Sequence, residues 1–147
     1  MWRDVLISIW NQSVEVEAIR RLQEGVEDLL SRHSAIALLG ISRPQVTMVP
    51  GSEERRMLSD LLGKHGAQLH CIGSVILGDG FVSAAKRTVL STISMVARQP
   101  CPLRMFPDLS SASAWVAPRL APPVEPPQLR RAVEDLERAY DDYLVTR

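Results

Sequence analysis

Residues 78–90, GDGFVSAAKRTVL, hold the ingredients of an anion site: a Gly-Asp-Gly turn, a helical pattern behind it, and the basic pair Lys86 and Arg87. Free backbone N–H groups and the aligned dipole of a helix start grip phosphate where glycine lets it come close. Three details point elsewhere. Asp79 places a negative charge where the phosphate would sit. Lys86 and Arg87 fall about two turns into the pattern, at 3.6 residues per turn. There is neither a third glycine for G-x-G-x-x-G nor the Gly-Lys-Ser/Thr of a P-loop. From Gly80 onward Val82, Ala85, Val89, Ile93 and Val96 share one arc of a helical wheel, with Ser83, Arg87, Ser91, Ser94 and Arg98 opposite. The stretch is predicted to be a core helix running to about Arg98, with Asp79 as its cap.

Nucleophilic chemistry needs a Ser or Cys beside a base that a third group orients. The bases on offer are three histidines. His33 closes the first helical pattern, where its charge suits the dipole. His65 lies in Gly-Lys-His-Gly, an expected exposed helix end. His70 opens a strand with no carboxylate nearby in sequence. None is paired at i, i+4 for a metal, and no G-x-S-x-G elbow is present. His70 and Cys71 are strand neighbours on opposite faces, poorly placed to share an ion. Cys71 and Cys101 read as buried free thiols. No catalytic residue, metal ligand or cofactor is expected, and the chain is read as a non-enzyme.

Composition narrows the partners. Seventeen basic and seventeen acidic residues cancel, so no broad field draws nucleic acid or anionic lipid. With 147 residues, 46% of them hydrophobic, the chain suits one ordinary globular core. The N-terminal apolar run is too short to span a bilayer and no small-residue cleavage site follows it. No integral membrane segment is expected, and the location is read as cytoplasmic.

The elements that must position any site alternate. WRDVLISIW (2–10) reads as a strand, and Ser13–Arg32 as an amphipathic helix through Ile19, Leu22, Val26 and Leu29. AIALLGIS (35–42), apolar on both alternations, is expected to be a central strand. Ser52 is expected to cap a second helix, with Glu53 and Glu54 in its first turn and Gly63 and Gly66 near its end. LHCIGSVIL (69–77) and PLRMF (102–106) are further strands, and Asp108 or Ser110 is expected to cap a last short helix. Strand followed by helix, four times over, predicts an α/β fold with a mostly parallel sheet flanked by helices. APPVEPPQ (121–128), four prolines in eight residues, is expected to be a semi-rigid spacer. Beyond it, Leu129, Val133, Leu136, Tyr140 and Tyr143 form an apolar stripe on a helix. So short a helix must bury its stripe, on its own domain or on another subunit.

GFVSAAKRTVL (80–90), RQPCPLRMFPDLSSASAWV (98–116) and the strand-helix-strand opening carry a family likeness. Residues 1–120 resemble the small bacterial SpoIIAA-like proteins, related to the STAS domain and grouped as STAS/SEC14-like. The resemblance implies a four-turn β-α superhelix and a role in protein-protein regulation. It does not cover the spacer (121–128) or the helix (129–147). Better-known STAS domains carry a phosphorylatable Ser or Thr in Asp-Ser-Ser/Thr-Gly at a strand-to-helix junction. The matching junction here, about Ser42 to Ser52, lacks that motif and leaves Ser52 as the candidate phosphorylation site. STAS domains usually begin with an additional edge strand, and its lack here would leave an edge open for pairing in a homodimer. The expected function is a non-enzymatic interaction or regulatory module with a protein partner. The alternatives are a small-ligand protein, for a lipid-like molecule or nucleotide at the strand ends, and a structural subunit assembled through the C-terminal stripe.

Overall fold

The computed structural model describes residues 1–44, 50–78 and 101–146. The helix expected over 80–98, with Asp79 and Gly80 of the turn before it, lies outside the described residues. Four strands, β1 (Val5–Trp10), β2 (Ile36–Ser42), β3 (Leu69–Ile76) and β4 (Leu103–Phe106), form one sheet in the order β1-β2-β3-β4. Every neighbouring pair is parallel, from Val5 opposite Ala37 to Val75 opposite Phe106. Strands added in sequence along one direction, through right-handed crossovers, carry their connecting helices on one face. Helices α1 (Val16–Leu30) and α2 (Ser52–His65) accordingly share a core with Leu6, Ile36, Leu38 and Leu69. After β4 the chain covers the other face with α3 (Leu109–Val116) and α4 (Pro126–Val145). That second core gathers Val5, Ile7, Ala37, Leu39, Ile41, Cys71, Val75, Val116, Leu129 and Val133.

The apolar pattern explains the layers. In β2, Ile36 and Leu38 point into one core and Ala37, Leu39 and Ile41 into the other, so the strand is buried on both faces, as its sequence predicts. Each fully buried Leu or Ile contributes about 1.5–3 kcal/mol. Two glycines set how closely the layers approach. A Cβ on Gly73 would stand 2.9 Å from Val116 Cγ2, so α3 rests almost on the β3 backbone. A Cβ on Gly25 would meet Leu6 Cδ2 at 3.2 Å, which brings α1 down onto β1.

Several local expectations are corrected. Helix α1 starts at Val16, with Glu15 as N-cap, and not at Ser13. Ser52 does not cap α2: Gly51 holds the N-cap and Ser52 is the first helical residue, exposed. Glycine is an acceptable N-cap, and the Glu54 carboxylate folds back against this one. Of the two caps foreseen for α3, Asp108 serves, its Oδ1 accepting the Ser111 N–H at 2.7 Å. His65 is buried rather than exposed, with Nε2 3.7 Å from Glu27 Oε1. Within the proline-rich segment Val124 reaches the core, only 9% exposed, while Ala121, Pro122, Pro123 and Glu125 are exposed. Helix α4 begins at Pro126, three residues before the expected Leu129. Pro126 and Pro127 occupy the first turn, where a missing N–H costs no helical hydrogen bond.

Candidate functional site

Helix α4 is built to start firmly. Gln128 Oε1 accepts the Glu125 N–H at 3.1 Å, closing the first turn behind the two prolines. The stripe then divides. Leu129 and Val133 are 0% exposed within the core of their own domain, and Leu136 packs half-buried against it. The helix therefore docks on its own domain, and these residues face no other chain while it does so. Further along, the stripe leaves the core. Tyr140 is half-buried, while Tyr143, Leu144 and Val145 are 50%, 44% and 86% exposed. Apart from Met1, these three are the exposed large apolar side chains among the described residues.

Arg43, just past the C-terminal end of β2, ties this outer half down. Its Nη1 donates to Asp141 Oδ1 at 2.7 Å and its guanidinium lies 5.5 Å from the Tyr140 ring centroid. The bond to Asp141 holds the Arg43 pKa above its usual value. Burial pushes the Glu137 carboxyl up, against the opposing pull of Arg43. The outer half of α4 is thus a charged, aromatic and apolar surface clamped at its base.

The other polar constellation lies at the opposite, N-terminal end of the strands. Asp4 is 2% exposed; its Oδ2 accepts the Ala121 N–H at 2.8 Å and its carbonyl accepts the Ala37 N–H at 2.8 Å. His70 Nε2 stands 3.6 Å from the same Oδ2, delivered by a register shift in the β2–β3 pairing. Asp4 Oδ1 and His70 Nε2 make no hydrogen bond among the described residues. A carboxylate beside a histidine is the orienting half of a triad, but the neighbouring thiol is no nucleophile. Burial pushes Cys71 up to about 12, so it stays protonated at neutral pH. Cys71 and Cys101 also belong to the two opposite cores. Among the described residues no three His, Cys, Asp or Glu side chains gather at metal-binding distance.

Of the residues singled out from sequence, Ser52 stands alone and exposed at the start of α2, while the five stripe residues share α4 as above. Sequence reasoning missed Asp4 and Arg43. Each is a charge flanking an apolar strand, a weak signal whose partner lies about a hundred residues away. No helix among the described residues is long and apolar enough to cross a membrane. Comparison with family models, with curated proteins and with solved structures finds no match for this chain.

Proposed function

We propose that this chain is a non-enzymatic interaction module of the STAS-like, SpoIIAA-like type, which binds a protein partner through the outer half of α4. The exposed run Tyr143, Leu144 and Val145 carries this proposal. Isolated surface apolar residues are ordinary, but Tyr140, Tyr143 and Leu144, three and four residues apart on α4, share one face, and such an aromatic and apolar face is what protein interfaces bury. Arg43 and Asp141 hold the patch at a fixed angle, which lowers the ordering cost of binding. The parallel, sequentially wound sheet supports the superhelical fold that the sequence resemblance implies. An assembly seam made from the whole stripe finds less support, because Leu129 and Val133 would first have to leave their own core.

The test is chemical cross-linking in cells that express the chain, followed by mass spectrometry. A stoichiometric partner cross-linked near α4, and lost with the double substitution Tyr143→Ser and Leu144→Asp, is expected. A partner bound equally well by that variant would remove the helix from the account.

A further inference from the structure

We infer that β1 is a pairing edge for a second copy of this chain, joined antiparallel about a two-fold axis that passes beside Ser8. This gives the interaction-module reading a second partner and stands on β1 alone.

The main-chain groups supply the reason. Asp4 and Trp10 turn towards β2, where their carbonyls accept the N–H groups of Ala37 and Arg43. Alternation makes Leu6 and Ser8 do the same, so Val5, Ile7 and Ile9 turn their N–H and C=O groups outward. Val5 is already satisfied by a tight turn, exchanging hydrogen bonds with Trp2 at 3.1 and 3.0 Å. Ile7 and Ile9 keep N–H and C=O groups with no partner among the described residues.

Within the strand Val5–Trp10 itself, one register pairs all of these groups. When Ser8 stands opposite the Ser8 of a second copy, Ile7 of each chain exchanges both of its hydrogen bonds with Ile9 of the other. Moving the axis to Ile7 would set Ile9 against Val5, whose groups are spent. In the favoured register Leu6 faces the other copy's Trp10 on the α1 side of the sheet. No charged side chain lies within VLISIW to oppose its like. Trp10 is ready for that contact, its indole Nε1 donating to Ser8 Oγ at 3.1 Å and lying over Gly40.

The two outer strands contrast sharply. Strand β4 is four residues long, stands between Pro102 and Pro107 and carries exposed Arg104, three devices that blunt a sheet edge. Strand β1 has six residues and none of these devices. A two-fold axis normal to the sheet keeps equivalent helix layers on the same side, so the two sheets join into one.

Sedimentation and Cys cross-linking test the register. Directly opposed residues of a non-hydrogen-bonded pair have Cβ atoms about 4.5–5.5 Å apart, near the span of a disulfide. The wild type is expected to sediment as a dimer at tens of micromolar. Ser8→Cys is expected to form a covalent dimer under mild oxidation. Trp10→Cys, whose partner is Leu6, is not, and neither is the wild type with its buried thiols. Ile9→Pro removes an outward N–H without touching the β2 ladder and is expected to give a folded monomer, at least tenfold weaker in self-association. A monomeric wild type overturns the inference. So does a Trp10→Cys variant that cross-links as fast as Ser8→Cys, or a folded Ile9→Pro variant that remains dimeric. The α4 substitutions leave β1 intact, so loss of the protein partner and loss of the dimer are separate readouts.

Discussion

Truncating the α4 stripe one residue at a time measures how far the helix is part of the domain. Leu129 is 0% exposed in the core that also holds Val5, Ile7 and Val116, and Leu129→Ala removes a fully buried side chain from that core. Such truncations cost about 2–5 kcal/mol, from lost transfer energy plus the cavity left behind. That is a large part of the roughly 5–15 kcal/mol that holds a domain together. Val133→Ala, equally buried, deletes two carbons and is expected to cost about 2 kcal/mol. Leu136→Ala, half-buried, is expected to cost about 1 kcal/mol, and Tyr143→Ala to stay within about 0.5 kcal/mol of wild type. Urea unfolding followed by circular dichroism reads the series, with m unchanged because the helix melts with the sheet. For a chain of this size Leu129→Ala corresponds to a fall in Tm of roughly 5–20 °C. A flat series, or a Leu129→Ala variant within 0.5 kcal/mol of wild type, would refute docking of α4 on its own sheet.

The glycines separate in the same assay: Gly73→Ala sets a Cβ against Val116 and Leu39 and is expected to cost about 1–3 kcal/mol. Gly25→Ala meets only the flexible end of Leu6, and the helix propensity it gains, about 1 kcal/mol, is expected to bring it close to neutral. Neither Cys71 nor Cys101 is expected to react with an aromatic disulfide reagent at pH 8 in the folded protein, and both are expected to react once urea unfolds it. A fast stoichiometric thiol in the native state would contradict their burial. Glu137 has its folded pKa raised by burial, so its contribution to stability is full below the carboxylate range and falls as pH rises through the folded value. Glu137→Gln is therefore expected to shift the urea midpoint upward at pH 7 relative to wild type, with the gap closing near pH 3. A Glu137→Gln midpoint below that of wild type at pH 7, again converging near pH 3, would show that the attraction of Arg43 outweighs burial.

What the sequence made legible was local. Strand β2 announced itself because both of its alternations are apolar, and all four strands fell within a few residues of their expected bounds. The cap of α3 was narrowed to Asp108 or Ser110, because capping is settled within four residues of chain, and Asp108 holds it. The differences arise where distant residues decide. His65 looked like an exposed helix end until Glu27, from another helix, met it. The prolines at 126 and 127 looked like spacer because their composition hides that a first helical turn tolerates them. The division of the α4 stripe into a docked and an exposed half cannot be read from periodicity, since spacing is the same along its whole length and only the extent of the sheet ends the core. An open sheet edge was expected, but which main-chain groups of β1 stay unspent was hidden. They depend on which strand lies beside β1 and on the turn at Trp2, not on any residue type.

Asp4 links these observations. A buried carboxylate is costly unless it is bonded, and this one holds Ala121 at the point where the chain turns from α3 towards α4. Through its carbonyl it also fixes Ala37, and the register shift beside Ile36 brings His70 to it. Four segments far apart in sequence are thus pinned at one end of the sheet. An apolar residue at this position would pack, but it would leave the Ala121 N–H unpaired and the path of the proline-rich segment unset. The position of Pro126 follows from that path, and the direction of α4 follows from Pro126. The outer half of α4 can be presented at the Arg43 end of the sheet because its base is fixed at the Asp4 end. The constellation that most resembles catalytic machinery is better understood as the anchor from which the proposed binding surface is aimed.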